Sequence, residues 1–209
     1  MLRRVFPFVM LAGLFCHAED FGIEIVKAAN EQIGVTLRYD SRYQRIGYPG
    51  GDLPLDRGVC TDVIIRAYRK FGVDLQVLVH KDMLAAWAEY PNPWRAKSTD
   101  TNIDHRRVPN LAAFFKRHGI TLSTEKIPGA FLPGDIVTWR LTSGVPHIGI
   151  VSNQFAISGV PLVVHNIGWG TMLEDRLFDF KITGHYRYLP EGLTKRSTRT
   201  QPLPSTRPQ

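Results

Sequence analysis

Apolar positions recur with a helical period in the first half of the chain and in short β-type runs in the second. From Gly22 to Ile33, Ile23, Val26, Ala29 or Asn30, and Ile33 fall on one helical face, and Gly34 ends the run. The stretch from Tyr39 to Gly58 has no sustained period and is rich in Tyr, Gly, Pro and Asp, which predicts a long ordered loop carrying Tyr43, Tyr48 and Asp52. Cys60, Ile64, Ala67 and Phe71 then share a face, so a helix opens at the cysteine and stops at Gly72. Another helix is read through Val79, Met83, Trp87 and Tyr90 to Pro91, and a further one from Pro109 to His118, stopped by Gly119.

The second half is built differently. Runs at 136–141, 147–151, 161–167 and 185–189 are short, rich in β-branched and aromatic residues, and separated by turn residues. They predict an antiparallel sheet. Helices first and strands afterwards give the fold class as α+β, with N-terminal helices packed on one side of a C-terminal antiparallel β-sheet.

The ends are set apart from this body. Arg3 and Arg4 precede an apolar stretch from Val5 to Phe15, and Cys16-His17-Ala18 follow before Glu19 and Asp20. This is the pattern of a secretory signal peptide over residues 1–18, cleaved after Ala18. A lipoprotein leader needs small residues directly before its cysteine, where this chain has Leu14 and Phe15, and a retained anchor needs a longer apolar stretch. Residues 191–209, with Lys195, Arg196, Arg199 and Arg207 among Ser, Thr, Pro and Gln, read as a disordered basic tail. The expectation is an exported protein, periplasmic or secreted, with one domain over 19–190 and no stable membrane insertion after cleavage.

Composition removes several function classes. Of 209 residues 44% are apolar and 22% charged, which excludes a mostly disordered chain, a coiled coil or a collagen. The formal charge of +7 is concentrated in the two ends, because the body from 19 to 194 holds 20 Lys and Arg against 19 Asp and Glu. A body of about +1 without a basic, aromatic-interleaved stripe gives no reason to expect a nucleic-acid partner.

Cleavage would leave Cys60 as the only thiol of a chain exported to an oxidising compartment. Such a cysteine is reactive, paired with another chain, or buried as a small hydrophobe. At the start of a helix, unpaired N–H groups and the helix dipole favour a thiolate and lower its pKa. Asp62 in the same turn opposes that effect, and Arg57 or Arg66 offsets Asp62.

A nucleophilic thiol needs a base. His147 opens a strand directly after a turn, with Ile148 and Ile150 on the other side, whereas His80, His105, His118 and His185 stand in structural or surface contexts. The base in turn needs an orienting partner. His165 and Asn166 interrupt an apolar strand but point to opposite faces, so one of them is available, with His165 favoured and Asn166 in reserve. The charged segment from Asp100 to Arg107 is either a solvated loop or a substrate-binding wall in which Arg106 and Arg107 fork onto carboxylates of an acidic peptide. A metal site from Asp100, Asp104 and His105 has little support, and neither a metal nor a cofactor is expected.

Two resemblances sharpen the picture. Pro133-Gly134-Asp135-Ile136-Val137 followed by His147-Ile148-Gly149-Ile150-Val151, with Tyr48-Pro49-Gly50-Gly51 before Cys60, resembles the NlpC-type cysteine peptidases of the papain-like fold. Cys60-Thr61-Asp62-Val63-Ile64, Asn102-Ile103-Asp104-His105-Arg106-Arg107 and Val164-His165-Asn166-Ile167-Gly168 resemble a YijF-like family of exported bacterial proteins across residues 22 to 190. The wider clan implies hydrolysis of amide bonds in peptidoglycan stem peptides, with Cys60 as nucleophile, His147 as general base and His165 as the polar third member. The chain departs from the clan in having Val59 and Thr61 around the cysteine, a longer interval from His147 to His165, and an offset tyrosine.

The leading expectation is therefore a cysteine peptidase or amidase. Tyr48, Asp62, Asp104, His105, Arg106 and Arg107 are its substrate-binding candidates. An acyltransferase on the same residues and a non-catalytic envelope-binding protein are the alternatives.

Overall fold

A computed structural model describes the backbone of residues 9–191 and the side chains from Asp20 onward. The first helix, α1 (Val9–Asn30), continues through Ala18, and residues 1–8 and 192–209, which hold the start of the leader and nearly all of the tail, lie outside the described residues. After α1 the chain forms β1 (Arg38–Tyr39), β2 (Arg57–Gly58), α2 (Cys60–Arg69), α3 (Leu75–Ala85) and α4 (Val108–His118). The remaining strands are β3 (Ile120–Thr121), β4 (Ile136–Arg140), β5 (Pro146–Phe155), β6 (Pro161–His165), β7 (Met172–Glu174) and β8 (Lys181–Arg187).

Six of the strands form one antiparallel sheet in the order β3-β8-β4-β5-β6-β7. The α+β class is as predicted. Ile148 and Ile150 of β5, Ile136 of β4 and Val164 of β6 pack against Ile25, Ile64, Leu111 and Phe115 of α1, α2 and α4. The opposite face is also covered. Val137, Trp139, Val151 and Val163 meet Phe131, Leu177 and Ile182 in a second, smaller core, and the Trp139 indole N–H donates to the Leu177 carbonyl at 2.9 Å.

The helix read through Tyr90 divides at Ala86, where a 3₁₀ turn over Trp87–Glu89 takes over. α3 begins earlier than its apolar spacing suggests because the Asp74 carboxylate caps it, accepting from the Gln76 N–H at 3.0 Å. The loop between residues 39 and 58 is ordered and is bracketed by the parallel pair β1 and β2.

One turn ties the two halves together. Gly134 has φ +85°, and a Cβ there would lie 2.5 Å from the Cα of Gly22 on α1, so only glycine fits. The next residue, Asp135, is fully buried. It accepts from the Leu132 N–H at 2.8 Å, from Arg187 Nε at 2.7 Å and from His185 Nε2 at 2.9 Å. The Pro133-Gly134-Asp135 segment therefore fixes the start of β4 against both α1 and β8.

Candidate active site

The position of Cys60 follows from how α2 starts. Asp62 at the third helical position accepts the Val59 N–H at 2.7 Å, and the Thr61 hydroxyl donates to the Arg106 carbonyl at 3.1 Å. Cys60 is thus the first helical residue, on the stripe that Ile64 and Ala67 continue into the core. The N–H groups of Ile148 and Thr61 and the Tyr39 hydroxyl face its sulfur and favour its ionised form. The thiol shares the core cluster of Ile148, the residue that follows His147 on β5.

The expected lowering of the Cys60 pKa is overturned. The residue is only 3% exposed, and burial pushes its thiol up to about 11, with Asp62 adding to the rise. The three donors on sulfur act in the opposite direction but do not outweigh lost solvation. The substrate-free protein holds a protonated thiol.

His147 is equally buried and lies against Trp139, ring centroids 5.7 Å apart. Its Nε2 is 2.8 Å from Nδ1 of His165, and Nε2 of His165 is 3.0 Å from the Glu174 carboxylate on β7, at an angle too oblique for a straight hydrogen bond. The register explains the grouping. Val164 opposite Ile150 puts His165 beside Gly149, where a Cβ would come within 3.1 Å of the His165 Cβ, so a larger residue would push the two rings apart. Burial, and then the His165 charge, push His147 down to about 3. The His165 pKa is lowered by burial, with Glu174 opposing. Burial thus favours the neutral form of each ring.

Asn166 points the other way, as the strand period requires, and its amide donates to the Gly58 carbonyl at 3.2 Å. It braces the segment that leads into Cys60 and does not contact His147.

The remaining candidates divide by location. Arg106 forks onto Asp62, Nε and Nη2 lying 2.9 and 3.0 Å from the two carboxylate oxygens, so that each side chain is buried by the other. Asp104 accepts the Asp100 N–H and pairs with Arg107 at 3.1 Å, and the Arg107 guanidinium lies 4.0 Å over the Trp94 ring. Burial pushes the buried His105 down to about 4. Tyr48 packs against His80 at 5.3 Å, away from the thiol. A cavity of about 320 Å³ opens beside Cys60 and is lined by Tyr39, Trp94, Arg106, Arg107 and Pro146 among others.

Asp62, Asp104 and His105 do not line this cavity, nor does Tyr48. Among the described residues, no group of three or more His, Cys, Asp or Glu side chains is arranged to hold a metal ion.

Residues 26–188 match the family described as "Domain of unknown function (DUF1287)". The chain belongs to this family. It is 55% identical over 166 residues, 79% of its own length and 81% of the other's, to the Escherichia coli (strain K12) protein named "Uncharacterized protein YijF". The YijF-like relation expected from the sequence is therefore borne out. Among solved structures, that of NlpC1 from Trichomonas vaginalis is similar with a TM-score of 0.45 and 14% identity, over 82% of this chain and 45% of that one.

The span that defines the family holds Tyr39, Cys60, His147, His165 and Glu174 together. Two of these escaped the sequence reading. Tyr39 is the tyrosine that reaches the thiol, yet it stands in a two-residue strand with no period of its own. Glu174 belongs to a three-residue strand, too short for alternation to reveal which face it occupies.

Chemically, the described residues offer a thiol at a helix start and, one residue before Ile148 of the same core, an imidazole with a hydrogen-bonded partner. Among the described residues no helix is long and apolar enough to cross a membrane.

Proposed function

We propose that this chain is an exported, papain-like cysteine hydrolase that cleaves amide bonds, with peptidoglycan stem peptides as its substrates in the periplasm or outside the cell. The observation that carries this reading is Cys60 at a helix start, in one core cluster with the neighbour of His147 and beside a cavity large enough for a peptide side group. In the reaction the Cys60 sulfur bonds to the substrate carbonyl carbon as its proton passes to Nδ1 of His147. The imidazolium then protonates the leaving amine as the C–N bond breaks. Water attacks the resulting thioester, giving its proton back through His147, and the acid leaves. His165 holds the His147 ring, and the Cys60 N–H with the Tyr39 hydroxyl stabilises the oxyanion.

The neutral resting pair is compatible with this sequence of events. A thiol and an imidazole that are both desolvated exchange a proton only when a substrate carbonyl takes up the developing charge on sulfur. Incubating the protein with purified sacculi and weighing the released fragments tests the reading. Soluble muropeptides are expected from the unaltered chain and none from Cys60→Ala. Equal release by both proteins would end the proposal.

A second reading has one observation in its favour. A thiol that is 3% exposed and pushed up to about 11 also suits an envelope-binding protein that retains the fold without turnover. In that case the chain would pellet with sacculi, release nothing, and bind equally well as Cys60→Ala.

A further inference from the structure

The loop between β6 and β7 carries an indole that nothing in the fold covers. Trp169 is 86% exposed, and among the described residues its ring has neither a hydrogen bond nor a ring partner. An indole left in water forgoes one of the largest apolar burials a side chain offers. The loop around it is nonetheless tied at both ends. Asn166 donates to the Gly58 carbonyl and accepts the Gly168 N–H at 3.2 Å, and the Thr171 N–H donates to the Thr36 carbonyl at 2.8 Å. Between them Gly170, at φ +90°, lies so close to Thr36 that a Cβ would come within 2.3 Å of the Thr36 carbonyl oxygen. The backbone that presents the indole is therefore fixed before anything binds.

Thr36 joins this loop to two further apolar residues. Its hydroxyl donates to the Leu55 carbonyl at 2.9 Å, and Leu37 follows it in the chain. Leu37 and Leu55 are both more than half exposed. Trp169, Leu37 and Leu55 thus stand on three adjoining segments as an apolar shelf. The shelf is continuous with the thiol cleft, since Leu37 is two residues before Tyr39, whose hydroxyl faces the Cys60 sulfur, and Trp169 is four residues past His165.

Size and charge narrow what would cover it. A stable protein interface takes about 20–30 residues a side, and an indole with a few aliphatic neighbours falls far short. The charges beside the shelf are paired off, Arg38 with Asp56 and Arg42 with Asp40, which gives an anionic membrane little to attract. A sugar ring suits both conditions. Its C–H face lies against the electronegative face of an indole, and its hydroxyls reach polar side chains at the rim.

We infer that Trp169, with Leu37 and Leu55, is a saccharide-stacking shelf that holds the glycan strand beside the thiol cleft. The identity of the sugar rests on the hydrolase reading, whose substrate is then stem peptide still attached to its glycan. Sugar binding itself needs no turnover.

The test uses the full chain as Cys60→Ala, with tri-N-acetylchitotriose as the soluble probe. The trisaccharide should shift the Trp169 indole N–H resonance, assigned by its loss in Trp169→Phe, and leave that of the buried Trp139 in place. Binding to sacculi, read by co-sedimentation, should weaken about tenfold when Trp169→Ala is added and recover with Trp169→Phe, which keeps an aromatic face. An unmoved Trp169 resonance with equal sedimentation of all three proteins would overturn the shelf. So would sedimentation with phosphatidylglycerol vesicles that depends on Trp169 while the trisaccharide has no effect, because a membrane would then be the partner. If the unaltered chain binds the trisaccharide through Trp169 yet releases nothing from sacculi, the shelf stands and the hydrolase reading goes.

Discussion

Nε2 of His147 lies 2.8 Å from Nδ1 of His165, and Glu174 stands 3.0 Å behind the other nitrogen of His165. The carboxylate favours a proton on His165 Nε2, which leaves His165 Nδ1 as the acceptor. His147 must then carry its proton on Nε2, so that its Nδ1 is bare. This tautomer is assigned from the partners, and it is the one that a base for the thiol requires.

Glu174→Leu should therefore mix the two neutral tautomers of His147 while leaving the fold intact. Nitrogen-15 spectra of the imidazoles report this directly. The unaltered protein is expected to show a single tautomer, protonated on Nε2. Hydrolysis by Glu174→Leu should fall by roughly 10–100-fold, the usual cost of losing an outer partner of a working histidine. Glu174→Gln keeps an acceptor in place and should lie nearer to the unaltered protein. A mixed tautomer population in the unaltered protein would contradict the assignment.

Cys60 offers a second test, because its thiol is pushed up to about 11 rather than lowered. Alkylation of Cys60 by iodoacetamide should be slow at pH 6 and still climbing at pH 10. The same shift acts on stability. Below the free-thiol value of about 8.5 both folded and unfolded chains hold the proton. As the pH rises from there through about 11 the unfolded chain ionises first, so stability falls. Cys60→Ala should flatten that decline in urea titrations. A rate that is already level at neutral pH would mean an ionised thiol.

The sequence made the strands at 136–140 and 161–165, the helix start at Cys60 and the opposed directions of His165 and Asn166 legible, because each rests on a local period. The reversed pKa of Cys60 was not legible. The helix start is visible in the sequence, whereas the depth of burial depends on the core that Val108 and Ile148, 88 positions away, build around it. Similarly, Arg106 reads as a solvent-facing fork for substrate until Asp62, 44 positions away, is found at the same place. Glu174 could not be foreseen, since its partner is chosen by register across β6 and β7 and not by spacing.

The Asp62-Arg106 pair predicts a marked asymmetry between single and double substitutions. Asp62→Ala removes the partner of a buried guanidinium and the acceptor of the Val59 N–H together. It should cost about 3–5 kcal/mol of stability, measured as a shift in urea midpoint at unchanged slope. Replacing both, Asp62→Leu with Arg106→Met, should recover much of that loss, because an apolar pair leaves no buried charge. If the double variant were as unstable as the single one, the capping bond of Asp62 would be the dominant contribution and not the ion pair.

Acid should weaken the fold through histidines that it buries in neutral form. His147 is pushed down to about 3 and His105 to about 4, both chiefly by burial, whereas in the unfolded chain each protonates near 6.5. Both contributions are complete above pH 6.5. As the pH falls from there the unfolded chain takes up protons that the folded one refuses, so stability drops until about pH 3 to 4. Melting temperatures taken at half-unit steps should trace that decline, and His105→Gln should make it shallower without touching the thiol corner. His147→Gln should also make it shallower but abolish hydrolysis. The pair of variants separates the two roles, since a decline unchanged in both would mean that neither ring is held neutral by the fold.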